Sequence, residues 1–109
     1  MQFSLRIICN FSIIETVKQR VATLTNYLCL SDDYAFSPYW KDDKCVILEL
    51  NTKIRNPDYS KIQQYIQLIS GVENLFPSYS LDGWECAYFA SLDELHSNSD
   101  TVFVVCNIF

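Results

Sequence analysis

The stretch FSLRIICNFSIIETVKQRVATLTNYL, residues 3–28, changes its apolar period near the middle, and this change decides the fold class. Phe3, Leu5, Ile7 and Cys9 alternate with the polar residues Ser4, Arg6 and Asn10, which is the period of a strand with one buried face. Beyond Ser12 the apolar residues recur at steps of three and four, the period of one helix face; they are Ile14, Val17, Val21, Leu24 and Leu28. The stretch therefore predicts a strand followed by an amphipathic helix.

The start and the end of this helix have their own signals. Ser12 followed by Glu15 matches a capping box, in which the serine hydroxyl bonds a helical N–H and the glutamate reaches back. The apolar stripe runs out near the end of the stretch. We expect Ser12 to be the N-cap and the helix to end between Tyr27 and Leu30.

The same two periods recur in the middle of the chain. Residues 31–43 follow neither period and predict a loop, with a short strand at about residues 36–40 as an option. A strand is predicted for residues 44–54, with Val46, Leu48 and Leu50 on one face. The sequence Asn56-Pro57-Asp58 predicts a second helix with Asn56 as its cap, and Gly71 is a natural C-terminal stop.

The last third of the chain reads mainly as strand. Asp82-Gly83 lies between two strand-like runs, residues 75–81 and 84–90, and is a residue pair that hairpin turns prefer. Because Pro77 lacks an N–H, the first arm is predicted to be an edge strand or to be only partly paired. Residues 91–95 repeat the capping box and predict one helical turn. The apolar run of residues 102–106 predicts a central strand covered on both faces.

These elements give the order β-α-β-α-β-β-(short α)-β within a single compact domain, residues 1–109. The economical arrangement is an α/β (α+β) sandwich, with two main helices packed on one mixed sheet of four or five strands. The sequence leaves the order of the strands open.

The net charge of −5 is unevenly distributed along the chain. All eight basic residues lie at or before Lys61, where seven acidic residues nearly balance them. Residues 62–109 contain six acidic residues and no Lys or Arg. A surface built from this segment is expected to repel nucleic acid and to attract a basic protein partner. The alternative is a solvated surface whose negative charges serve only to keep the protein soluble.

Two groups of residues are candidates for contact with a partner protein. In the acidic-aromatic loop, residues 31–43, carboxylates surround aromatic side chains as in an interface core with a polar rim. The alternative is that Phe36 and Trp40 cap the core beneath the loop. The first group is Asp32, Asp33, Tyr39, Trp40, Asp42 and Asp43, and the second is Glu85, Asp93, Glu94 and Asp100. The sequence does not choose between them.

No pattern in the sequence indicates a catalytic, metal or cofactor site. The five cysteines are odd in number and include no close pair, so we expect reduced thiols that pack as small hydrophobic groups. His96 is the only histidine, and a Cys–His96 pair assembled in space stays open. Phosphate-binding loops need more than two glycines. We expect a cytoplasmic protein that is not an enzyme and binds no nucleic acid, membrane, metal or cofactor.

As a whole-chain profile of size, acidity and absent motifs, the sequence resembles the immunity proteins of contact-dependent growth inhibition and related polymorphic toxin systems. The resemblance rests on no signature residue and implies no architecture. It implies tight binding to one toxin domain, commonly a nuclease, whose basic active site or a neighbouring exosite the immunity protein occludes. The expected state is a monomer or a weak dimer. Two alternatives stay open: an adaptor or subunit domain that uses a sheet edge and an apolar patch, and a small enzyme with an unrecognised site.

Overall fold

A computed structural model of the protein describes residues 1–30, 34–81, 83–89 and 102–109. In these ranges the chain forms six strands, two α-helices and one short 3-10 helix at Phe11–Ile13. The strands are β1 (Gln2–Asn10), β2 (Ala35–Pro38), β3 (Cys45–Lys53), β4 (Ser78–Ser80), β5 (Gly83–Tyr88) and β6 (Val102–Ile108). The helices are α1 (Ile14–Tyr27) and α2 (Tyr59–Ser70).

The six strands form one sheet in the order β2-β3-β1-β6-β5-β4, and each pair of neighbours is antiparallel. The α+β class with two main helices is confirmed. The expectation of a mixed sheet with four or five strands is wrong, because no described pair is parallel and β2 adds a sixth strand. Strand β2 corresponds to the short strand given as an option at about residues 36–40, and all four of its residues are exposed. The short helix predicted for residues 91–95 lies outside the described residues.

Helix α1 buries the predicted stripe but does not use the predicted cap. Four stripe residues are buried, namely Ile14, Val17, Val21 and Leu24, and Leu28 packs partly against them. The capping side chain is Asn10, whose Oδ1 accepts a hydrogen bond of 2.9 Å from the Ser12 N–H. A 3-10 turn therefore joins β1 to α1, and the prediction of Ser12 as the cap is wrong.

The N-cap of helix α2 lies two residues after the predicted cap, Asn56. Asp58 is its N-cap and accepts from the Lys61 N–H at 3.2 Å, whereas Asn56 has a φ of +47° in the preceding turn. Gly71 ends the helix with a φ of +76°, as predicted. The buried side chains of Ile62, Ile66 and Ile69 face the sheet, and each stabilises the fold by about 1.5–3 kcal/mol.

The β4–β5 hairpin is confirmed with a register one residue away from the prediction. Ser80 pairs with Gly83, so β4 ends at Ser80 and Gly83 begins β5. Strand β4 is the edge strand on this side of the sheet, which confirms the edge position expected for the first arm from Pro77. Gly83 is therefore a strand residue rather than a turn residue.

The core lies between one face of the sheet and the two helices. Both helices pack on this face, α1 against β1 and α2 against β5 and β6, and they also contact each other. The even-numbered residues of β6 point into the core and are buried, while Phe103 and Val105 on the other face are only half-buried. Strand β6 is central, as predicted. Both described helices lie on its first face, so the described residues do not supply the predicted cover on the second face.

Candidate functional site

The Tyr39–Lys44 turn joins the edge strand β2 to β3 and contains the last five residues of the acidic-aromatic loop, which the structure describes from Tyr34 onward. It is closed by backbone hydrogen bonds from the Tyr39 N–H to the Cys45 carbonyl at 3.0 Å and from the Cys45 N–H to the Asp42 carbonyl at 3.1 Å. The Asp42 Oδ1 also accepts from the Lys44 N–H at 2.9 Å. These bonds fix the turn on the end of the sheet and give the side chains at its tip a defined position.

Trp40 projects from the tip of this turn, and 81 % of it is exposed. Its ring lies 6.3 Å from the ring of Tyr39, and the Lys41 ammonium lies 5.0 Å from its centroid. A cation over an exposed indole contributes about 0.5–1 kcal/mol, which favours one orientation of the ring. Trp40 therefore does not cap the core.

Phe36, the other aromatic residue of the core-cap interpretation, also lies outside the core. It is 45 % exposed on the helix side of β2, and the Lys18 ammonium lies 5.4 Å from its ring centroid. The core-cap interpretation of the acidic-aromatic loop is thus wrong for both rings.

The predicted contact residues do not form one group in the structure. Asp42 is only 9 % exposed, because its carboxylate bonds the backbone of its own turn, whereas Asp43 is exposed beside it. Glu85 is exposed on β5, at the other side of the sheet from the Tyr39–Lys44 turn. The remaining candidates, Asp32, Asp33, Asp93, Glu94 and Asp100, lie outside the described residues, as does His96.

A second surface was not anticipated from the sequence, namely the face of the sheet opposite the helices. We call it the open sheet face and define it by the residues of β1, β3, β5 and β6 that alternate with the core residues. Ile8 lies opposite Ile47 on one side and Phe103 on the other, and Val105 lies opposite Ala87. These side chains are only half-buried. The available signal was the apolar residue at every position of the run 102–106, which was interpreted as cover on both faces.

The cysteines lie mainly within the core. Cys9, Cys45, Cys86 and Cys106 are buried, Cys29 is exposed, and all five are free thiols. Burial raises the pKa of Cys9 to about 12 and the pKa of Cys45 and Cys86 to about 11. Since only the thiolate is a strong nucleophile or metal ligand, these three side chains act as small apolar groups near neutral pH.

The described residues show two further features that bear on function. No three His, Cys, Asp or Glu side chains among them are grouped as a metal site would require. Neither described helix is long and apolar enough to cross a membrane.

Comparison with known proteins adds no assignment, since no protein-family model, curated protein or solved structure matches this chain.

Proposed function

We propose that the chain is a non-catalytic protein-binding domain, and specifically an immunity protein that binds and neutralises a cognate toxin domain in the cytoplasm. The toxin is a nuclease with a basic active site. The chain blocks that site or a neighbouring exosite by occupying space and presenting carboxylates, without any chemical step. The Tyr39–Lys44 turn is the centre of the interface.

The exposure of Trp40 is the observation that carries this proposal. An exposed indole leaves a large apolar area in water, and tryptophan is among the residues that contribute most at protein interfaces. The turn holds the ring in place before a partner arrives, so little conformational entropy is lost when it inserts into a pocket. The exposed carboxylate of Asp43 stands at the rim of the same turn.

Charge supports a basic partner. The net charge is −5, and no Lys or Arg follows Lys61. Of the six acidic residues after that position, the structure describes Glu73 and Glu85, and both are exposed. Such a field raises the rate of encounter with a basic cleft and disfavours nucleic acid as a ligand.

The alternative of an adaptor that pairs through a sheet edge has less support. The Tyr39 N–H donates to the Cys45 carbonyl, so these two residues form a hydrogen-bonded pair. Because hydrogen-bonded and non-hydrogen-bonded pairs alternate along an antiparallel ladder, the backbone nitrogen and carbonyl of Pro38 point away from β3, toward the free edge of the sheet. Proline offers no donor to an incoming strand. At the other edge β4 has only three residues and follows Pro77. Both edges are poor templates for strand addition.

The test begins with co-purification of the chain from its native host and identification of the bound protein. That protein is then purified, and its nuclease activity is measured with increasing amounts of the chain. The proposal expects full inhibition at a one-to-one ratio. Trp40→Ala should raise the dissociation rate about tenfold or more, by loss of an anchor at the interface centre. Leu68→Ala is the matched control, because Leu68 is half-exposed on α2, away from the turn.

Two results would contradict the proposal. One is a bound protein whose activity is unchanged by saturating amounts of the chain. The other is a Trp40→Ala variant that binds as tightly as the wild type does but has a melting temperature lower by several degrees, which would mean that Trp40 acts on stability rather than on binding.

A further inference from the structure

We propose that a cleft at the start of β5 binds an arginine side chain of a basic protein. We call it the Gly83 cleft. Its volume is about 390 Å³, and it is lined by Ser80, Gly83, Trp84, Glu85, Asn107 and Phe109. The Tyr39–Lys44 turn lies at the opposite edge of the sheet and at the opposite end of its strands. The cleft is therefore separate from the interface proposed above, and arginine binding is a further property of the chain.

The strand register places the cleft on one face of the sheet. Glu85 lies opposite Asn107, and both alternate with buried core residues, so they lie on the open sheet face. Gly83 precedes Glu85 by two residues and pairs with Ser80 in the hairpin. A Cβ on Gly83 would lie 3.0 Å from the Phe109 Cβ, so Phe109 borders Gly83 on the β6 side. The cleft is thus the space that remains because β5 has no side chain at Gly83, and a strand glycine often marks a close approach of this kind.

Glu85 gives the cleft a negative charge that the described part of the chain does not neutralise. The two ion pairs among the described residues are Arg6–Glu49 at 3.3 Å and Glu15–Lys18 at 3.6 Å. Arg6 is thereby held toward β3, on the side of β1 away from β5. An exposed carboxylate that has no ion pair in the described chain is complementary to a cation from another molecule.

Phe109 adds an aromatic side chain next to this carboxylate. It is 60 % exposed, and the face of an exposed ring attracts a cation. Asn107 precedes Phe109 by two residues on β6, and its side-chain carbonyl oxygen is a hydrogen-bond acceptor. The cleft therefore offers a charge, a ring and a neutral acceptor within a few residues of one another.

This combination suits the guanidinium of arginine better than the ammonium of lysine. A guanidinium donates two parallel N–H groups to a carboxylate, and its flat face stacks on an aromatic ring. An ammonium is a compact, strongly hydrated point charge that does not stack. The volume is also suitable for one side chain, since sites for small ligands begin at about 300 Å³.

The first experiment titrates the full chain with three small probes, namely the N-acetyl amides of arginine, lysine and citrulline. Citrulline has nearly the shape of arginine but no charge. Amide NMR spectra report binding at the backbone N–H groups of Gly83 and Glu85 and at the side-chain amide of Asn107. The arginine amide should bind with a dissociation constant on the order of millimolar, as one small group would. The lysine amide should bind about threefold more weakly or less, and the citrulline amide should give no saturable shift.

Variants of the two main contacts test the geometry of the cleft. Glu85→Gln keeps the shape of the side chain and removes its charge, so it should weaken binding of the arginine amide about fivefold or more. Phe109→Leu removes the ring, so the preference for arginine over lysine should disappear.

Glu73→Gln is the matched control, because Glu73 is also exposed, lies outside the cleft and changes the net charge by the same amount. It should leave binding of the arginine amide unchanged. Trp40→Ala should also leave it unchanged, which separates this site from the proposed function.

Three results would overturn the arginine site. The arginine amide could leave the resonances of Gly83, Glu85 and Asn107 unchanged up to tens of millimolar. The lysine amide could bind the wild type as tightly as the arginine amide does, which would mean general attraction to a negative surface. Finally, Glu73→Gln could weaken binding as much as Glu85→Gln, which would assign the effect to net charge rather than to the cleft.

Discussion

Gly83 occupies the first position of β5 with a φ of +127°, where L-residues are strained. A Cβ built on Gly83 would collide with the backbone carbonyl oxygen of Ile108 and come within 3.0 Å of the Phe109 Cβ. The close approach of β5 to the end of β6 therefore requires a residue without a side chain. Gly71 also has a positive φ, but a Cβ there would meet no atom within 4 Å.

These two glycines form a matched pair for mutation. Gly83→Ala should lower the free energy of unfolding by about 3 kcal/mol or more, because strain and collision with backbone act together. Gly71→Ala should cost about 1 kcal/mol, for the left-handed conformation alone. Urea unfolding of both variants measures the difference. Equal losses would mean that the contact with Ile108 relaxes without cost.

The buried thiols make stability depend on pH in the alkaline range. Burial raises the pKa of Cys9 from its ordinary value of 9.0 to about 12, while the unfolded chain keeps the ordinary value. Above about pH 9 unfolding therefore releases a proton that the native state retains. The free energy of unfolding should fall as pH rises from about 9 towards 12, by about 1.4 kcal/mol per pH unit for each such thiol.

Urea unfolding of the wild type and of Cys9→Ala at about pH 8 and about pH 10 tests this expectation. The variant should be less stable at both values but should lose less between them, since it lacks one thiol with a raised pKa. An identical pH dependence in the two proteins would contradict the assignment of a raised pKa to Cys9.

At the scale of elements, the connection between β1 and α1 is capped by Asn10 and not by the predicted Ser12. Asn10 belongs to the strand, yet its side chain holds the first free N–H of the following turn. Asn10→Ala should cost about 1 kcal/mol, the usual price of a lost cap, whereas Ser12→Ala should cost less than about 0.5 kcal/mol. Thermal unfolding of the two variants measures whether the predicted capping box of Ser12 and Glu15 contributes to the stability of the native state.

The elements were predictable from the sequence to the extent that local spacing specifies them. Steps of three and four residues identify α1 and α2, and alternation identifies β1 and β3, because each pattern needs only one buried face. The caps were displaced by two residues, since several polar residues near each helix start can bond the same N–H groups. The order of the strands depends on contacts between distant residues, which no local window contains.

The candidate site was predictable only in part, for a related reason. An aromatic residue in a loop can cover the core or face the solvent, and only the path of the Tyr39–Lys44 turn decides that Trp40 does the latter. The continuous apolar run of residues 102–106 predicts burial of Phe103, because a strand with apolar residues on both faces normally lies between two layers. Whether a second layer lies on a sheet depends on the whole fold rather than on the sequence of one strand.

At the scale of the whole molecule, charge should govern the rate of partner binding more than the lifetime of the complex. The association rate with a basic partner should fall as salt rises, because screening shortens the range of the field. Asp43→Lys in the Tyr39–Lys44 turn should slow association and weaken its salt dependence. The pair Asp93→Lys with Glu94→Lys, in the segment of residues 62–109 that has no Lys or Arg, should have the same two effects. Stopped-flow mixing at low and high salt measures both effects, and a rate independent of salt would rule out steering.

The pairing of β1 with β6 joins the two ends of the sequence in the middle of the sheet, through reciprocal hydrogen bonds between Gln2 and Phe109 of 2.7 and 3.0 Å. Strand β1 therefore lacks one neighbour until β6 has been synthesised. Before β6 is synthesised, the strands β2-β3-β1 and the strands β5-β4 can form only two separate parts of the sheet. The pairing of β6 with both β1 and β5 then joins these parts in one step. Folding should accordingly be slow for the chain length, on the order of milliseconds to seconds. Folding should also be cooperative, so that shortened chains gain little native structure.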